Sequence, residues 1–183
     1  MRRSACSPEG TPQVPDATGL ELIAHELRDG NSEAILGTEY AHDRAVLRAE
    51  PQHIQFVIKA LMDKGYTFIP SVHGVDHYPE DEPRLGVLYE LMDMRKVDRI
   101  SVKVRVSSED PRVPSIVDLF PGANWDEREV YDMFGVVFEG HPDMRRILMP
   151  EDFEGHPQRR DYPVGGEPVL FTYNEETNYG KWQ

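Results

Sequence analysis

The sequence predicts an α+β domain: one mixed, mainly antiparallel sheet with packed helices, followed by an extended C-terminal loop and tail. Three stretches carry that reading. Residues 99–107 alternate, with Ile100, Val102, Val104 and Val106 directed inward and Ser101, Lys103 and Arg105 outward, the period of a strand with one buried face. Residues 85–92 are nearly continuously apolar, as suits a central strand. Ile54, Val57, Ile58, Leu61 and Met62 recur at the i, i+3, i+4, i+7 and i+8 spacing of an amphipathic helix.

The elements follow in order. Residues 1–16 are polar, contain proline and lack a period, which predicts a flexible N-terminal arm. Thr18 and Glu21 have capping-box spacing, Leu20, Ile23, Ala24 and Leu27 share one helical face, and Gly30 closes that helix. Residues 34–40 and 44–49 read as a short hairpin around His42 and Asp43. Pro51 suits the first position of the helix at 54–62, and Gly65 suits its end. Residues 67–75 read as a strand interrupted or edged by Pro70. The strands at 85–92 and 99–107 form a hairpin, residues 114–119 a short helix, and residues 124–134 a charged helix stopped by Gly135. Beyond Pro163 no period remains; Gly165 and Gly166 suggest a hinge, and residues 169–173 a strand that could join a neighbour. The expected organisation is an arm at 1–16, an α+β domain at 17–135, and an extended partner-binding loop and tail at 136–183.

Composition narrows function. A chain of 183 residues suits one domain with extensions. Its net charge of −13 opposes binding to nucleic acid and to anionic lipid, both of which need cationic neutralisation. No apolar run is long enough to span a bilayer, and the first residues lack the apolar core of a signal peptide. The single cysteine, Cys6, cannot form an intrachain disulfide or hold an iron–sulfur cluster. Phosphate loops, dinucleotide fingerprints and a Ser-His-Asp context are likewise missing.

The densest information lies in residues 124–163. Asn124 stands three residues before Glu127, the spacing of a capping box, and Asp126, Glu127 and Glu129 place negative charge in the first turn. Val130, Met133 and Phe134 form an apolar stripe, while Arg128 and Asp132 are spaced to pair on the other side. Two copies of Glu-Gly-His-Pro follow, at 139–142 and 154–157, each trailed by an arginine pair, Arg145-Arg146 and Arg159-Arg160. The copies are too close for a repeat architecture and read as two similar loop turns.

At these residues the chain resembles a known family. Glu127-Arg128-Glu129, Tyr131-Asp132-Met133-Phe134, His141, Arg145, Ile147-Leu148, His156, Arg159-Arg160-Asp161 and Tyr162-Pro163 are similar to the signature of the C-subunit of proton-pumping NADH-quinone oxidoreductase, the thirty-kilodalton subunit of respiratory complex I. The likeness is close over residues 113–164 and weaker over 45–112. It implies a peripheral-arm subunit that holds no cofactor, with FMN and iron–sulfur clusters carried by partner chains. It also implies partners: the quinone-site D-subunit (forty-nine-kilodalton type), the iron–sulfur B- and I-subunits, and a place on the cytoplasmic side of the cell membrane. Related subunits in membrane-bound hydrogenases and in dehydrogenases with other electron inputs share the motif. Glu127, Arg128, Glu129, Tyr131, Asp132, His141, Arg145, Arg146, His156, Arg159, Arg160, Asp161 and Tyr162 are the candidate partner-interface residues, and no catalytic or metal-binding residue is assigned.

Simpler readings stand beside these. His141 and His156, near Glu139, Asp143 and Glu154, could bind a metal, but a histidine before proline in a turn also bonds backbone carbonyls through a ring N–H. Glu127, Glu129 and Asp132 could serve as acid and base, but a run of this kind usually forms a solvated helix face. The arginine pairs suit interface ion pairs or internal pairing with nearby carboxylates, since both use the same fork geometry. A free-standing acidic binding module and a small hydrolytic or metal enzyme are the competing functions. The first predicts a stable monomer and the second a bound metal.

Overall fold

In the computed structural model the described residues are 17–41, 44–79 and 82–163. The expected N-terminal arm, the hinge at Gly165-Gly166, and the strand at 169–173 lie outside them. Helix α1 spans Ala17–Gly30, strand β1 Ile35–Ala41 and β2 Arg44–Ala49. A 3-10 turn at Pro51–His53 runs directly into α2, Ile54–Asp63. Strands β3 (Phe68–Asp76), β4 (Leu85–Asp93), β5 (Asp98–Val106) and β6 (Arg112–Pro114) precede helix α3 (Ala123–Phe134) and strand β7 (Val137–Glu139).

The main sheet has the order β1-β2-β5-β4-β3. Three of its pairings are antiparallel, and β2 with β5 is parallel. The sheet is therefore mixed and mainly antiparallel, as the alternation predicts. Pro70 sits where a proline can: on the edge strand β3, inside the register shift between Phe68 and Ser71. The inward-facing residues of β5 meet Leu47 and Ala49 from β2 and Val87, Tyr89 and Leu91 from β4 in one core. Leu20, Ala24 and Leu27 of α1 and Ile54, Val57, Ile58 and Leu61 of α2 close that core from one side. Each fully buried aliphatic side chain contributes about 1.5–3 kcal/mol by leaving water.

Helix α3 packs against β3 at a glycine. A Cβ on Gly74 would lie 2.2 Å from Phe134 Cδ2, so only a missing side chain lets the helix approach this closely. At the other end Gly135 takes φ 77°, the left-handed conformation that terminates the helix as predicted.

Five local expectations are corrected. Residues 114–119 do not form a helix. Arg112–Pro114 pair in parallel with Val137–Glu139, and only a turn follows, closed by the Leu119 and Phe120 N–H groups on Ile116 O. A three-residue strand shows no period, so its partner twenty-odd residues away is invisible locally. Asn124 is not a cap: α3 begins at Ala123 behind Gly122, and no side chain caps it. Ser101 points away from the core yet is buried, donating to Glu90 Oε1 at 2.8 Å. Val136 and Phe138, beyond the expected domain edge at 135, are buried in the same core. The fifth correction, the expected Arg128–Asp132 pair, concerns the site.

Candidate functional site

Helix α3 carries four acidic side chains; Glu129 is exposed, and the other three have separate tasks. Asp126 accepts the Val72 N–H of β3 at 3.0 Å, which ties the helix to the sheet edge; burial raises its pKa. Glu127 is fully buried. It accepts the Ser115 hydroxyl at 2.6 Å and the Ile116 N–H at 2.8 Å. Burial pushes its pKa up to about 7, against the lowering effect of those two donors. The expected solvated face is thus overturned for this residue. Glu127 turns toward the segment after β6, which it holds in the turn that replaces the expected helix.

Asp132 is also fully buried, and it organises the loop beyond the helix. Its Oδ2 accepts the backbone N–H groups of Ile147, Leu148 and Met149 at 3.1, 2.8 and 2.8 Å. Its Oδ1 accepts Arg146 Nη1 at 2.6 Å. Burial alone would raise its pKa, but these donors outweigh burial and hold it below the ordinary aspartate value. Arg128, predicted to pair with Asp132, instead donates to the carbonyls of Arg145 and Arg146 and lies 5.4 Å over the Trp125 ring. The carboxylate four residues on is taken by a cation from the loop, which can also fill the backbone acceptors around it.

Both loop histidines lock turns. His141 Nδ1 accepts the Asp143 N–H at 3.0 Å, which leaves Nε2–H to donate to Asn124 O at 3.3 Å. His156 Nδ1 donates to Asp132 O at 3.0 Å, and its ring meets Tyr131 edge-on. Burial lowers the His156 pKa. Among the described residues no three His, Cys, Asp or Glu side chains come together as metal ligands would.

The arginine pairs divide. Arg146 reaches Asp132 and Gly155 O, and Arg159 donates to Phe134 O at 2.6 Å; both serve the fold. Arg160 contributes its N–H to Asp76 and its guanidinium to Tyr78 O. Arg145 is exposed and forks onto neighbouring Asp143 at 2.7 Å through two nitrogens. Asp161 bonds Arg84, whose guanidinium also grips the buried Asp76 at 2.7 Å. That Asp76–Arg84–Asp161 chain fastens the end of the loop to the sheet. Tyr162 stacks on Phe153, and Glu129 is exposed.

The result is a loop gathered by buried polar contacts, with Leu148 (59 %) exposed on the loop and Trp125 (61 %) exposed on α3 beside it, and with Arg128 joining the Trp125 ring to the loop backbone. Trp125 and Leu148 are not among the predicted interface residues. The signal for Trp125 is present in the sequence: it lies off the Val130, Met133, Phe134 stripe and so faces outward. Asp76 and Arg84 give no local signal, because their partner is at 161.

The profile of the family described as "Respiratory-chain NADH dehydrogenase, 30 Kd subunit" matches residues 47–168. The chain belongs to that family. The NADH-quinone oxidoreductase C-subunit of Roseiflexus sp. (strain RS-1) is 44% identical over 170 residues, covering 91% of this chain and 94% of that protein. The NADH-quinone oxidoreductase subunit 5 of Thermus thermophilus is 50% identical over 115 residues, 58% of this chain and 56% of that one. A solved trypsin-resistant fragment (1-134) of Nqo5 superposes with TM-score 0.59 at 34% identity, covering 68% of this chain and 98% of the fragment. A chain of an archaeal membrane-bound sulfane sulfur reductase shares the fold, with TM-score 0.65 at 24% identity over 79% of this chain and 85% of its own. Its relatives are thus subunits of an NADH-quinone oxidoreductase, a multi-subunit oxidoreductase of the respiratory chain.

Proposed function

We propose that this chain is a cofactor-free peripheral-arm subunit of a proton-translocating NADH-quinone oxidoreductase, on the cytoplasmic side of the cell membrane. It supports electron transfer from NADH to quinone by scaffolding the quinone-site D-subunit and the iron–sulfur B- and I-subunits, while FMN and the clusters stay in partner chains. One observation carries the reading: the loop around Asp132 is gathered by buried polar contacts, yet it exposes Leu148 beside an α3 tryptophan, Trp125, that is backed by Arg128. Buried polar groups fix the loop's shape before any partner arrives, and exposed Trp and Arg on a fixed frame are the residues that dominate interface energetics. Among the described residues no helix is long and apolar enough to cross a membrane.

Affinity capture of the full chain under mild detergent, with flavin and iron analysis of what it retains, tests this. An iron–sulfur and flavin assembly with NADH-dependent quinone reduction supports it. Capture of the chain alone, in stable monomeric form, would instead establish a free-standing binding module. An assembly that ignores NADH but accepts another donor points to the equivalent subunit of a hydrogenase-like or other-donor complex.

A further inference from the structure

Among the described residues, all the helices that join the core close one face of the main sheet, and no helix covers the other. One bare antiparallel face is ordinary. Its charge is not. Register and alternation put Arg44, Arg48, Arg99, Lys103 and Arg105 on this face against Glu39 and Glu90, in a chain of net charge −13. Arg48 and Lys103 stand directly opposite each other on β2 and β5. Like charges so placed repel. Arg48 has Glu39 at 3.2 Å, but Lys103 has no carboxylate within ion-pair distance among the described residues. Arg48 lies across β1 over Gly37, where a Cβ would sit 2.9 Å from its guanidinium. Beside the cations, half-buried Val46, Val75 and Leu88 line a shallow hollow of about 210 Å³. It shares Glu39 and Lys103 with a broader open groove of about 670 Å³ lined by Leu36, Arg48 and Arg105.

We infer that this sheet face docks an acidic protein surface, one that places carboxylates over Arg48 and Lys103 around an apolar centre, supplied by a partner subunit of the same complex. The inference rests on the scaffold reading above and adds a second contact surface to it, distinct from Trp125 and the loop. Lys103, opposed to Arg48 and with no carboxylate of its own among the described residues, is the group a partner carboxylate would pair. A lipid surface fits less well. Carboxylates interleave with the cations, apolar side chains separate them, and the chain as a whole is repelled by anionic headgroups.

The test uses the full chain carrying Lys103→Glu, compared with Lys103→Arg. In the free chain, Lys103→Glu removes a repulsion, so its melting temperature should equal or exceed that of the unaltered protein. In the complex it should be retained on the order of tenfold less well in physiological salt, with the gap narrowing as salt screens it. Lys103→Arg should be retained normally. In addition, carbodiimide treatment of the purified complex should link Lys103 to an Asp or Glu of another subunit, and Lys103→Arg should abolish that link. Retention of Lys103→Glu at the normal level, or absence of the cross-link, overturns the inference while leaving the scaffold reading intact. Lys103-dependent binding to phosphatidylglycerol vesicles overturns it in favour of a lipid contact. Failure of the unaltered chain to enter any complex removes both readings together.

Discussion

Glu127 and Asp132 lie little more than a turn apart on α3, and both are completely shielded from solvent. Their surroundings treat charge in opposite ways. Asp132 has a guanidinium and three backbone N–H groups, enough to replace its hydration, and its pKa falls. Glu127 has one hydroxyl and one N–H, no cation, and the buried Tyr89 ring as a neighbour in its field, and its pKa rises to about 7. Solvent reaches neither side chain, but Glu127 lies deeper among protein atoms and has fewer, uncharged donors, so desolvation wins there, while the donors win at Asp132. The ionised Asp132 carboxylate gathers the loop. Glu127 is better suited as a neutral acid holding the Ser115 turn.

Several substitutions break or sharpen this contrast. Asp132→Ala strands Arg146 and three loop N–H groups, and the expected loss is about 3–5 kcal/mol, as for breaking a buried pair from one side. Chemical denaturation of the free chain measures it. A loss under about 1 kcal/mol would show that water replaces the carboxylate and that the loop is not organised by it.

The pH profiles should differ in sign. The Glu127 pKa is raised from 4.5 to about 7, so its stabilisation is complete below 4.5 and disappears as pH rises to about 7. The Asp132 pKa is depressed, so its contribution is present above its ordinary value of 3.8 and is lost only as pH falls through the lower folded value. Glu127→Gln should flatten the decline between pH 4.5 and about 7, by an amount on the order of 3 kcal/mol at most. An unchanged slope would mean that Glu127 does not titrate in this window.

Arg146→Lys tests whether Asp132 needs a cation or a fork. Lysine keeps the charge but cannot serve Asp132 and Gly155 O together, so a cost of about 1–3 kcal/mol is expected. Full rescue of stability by lysine would reduce the Asp132 site to simple charge neutralisation.

Trp125→Ala should change the free chain least, within about 0.5–1 kcal/mol, because the ring is exposed. In the complex it should weaken retention by about 2 kcal/mol if the ring anchors a partner. Normal assembly with normal NADH-dependent quinone reduction would move the docking surface elsewhere.

Much of the fold could be read locally. The strand at 98–106, the helix at 54–63 and the stop at Gly135 follow from period and backbone preference. The candidate site was legible as a block but not residue by residue. Asn124 and Glu127 have capping spacing, yet the helix starts earlier and Glu127 turns inward, because Ser115 and Ile116 offer it donors that the helix end does not. Arg128 and Asp132 have pairing spacing, yet Arg146 takes the carboxylate.

The sequence by itself determined the positions of the main strands and helices, the mainly antiparallel sheet, and the family signature that identifies the chain. These rest on interactions between residues close along the chain, where spacing alone sets which side chains meet. Only the tertiary structure decided which carboxylates are buried, that β6 pairs with β7, and that Arg84 joins Asp76 to Asp161 across 77 positions. A buried charge needs donors from several segments at once, and their convergence is a property of the packed chain that no local spacing records.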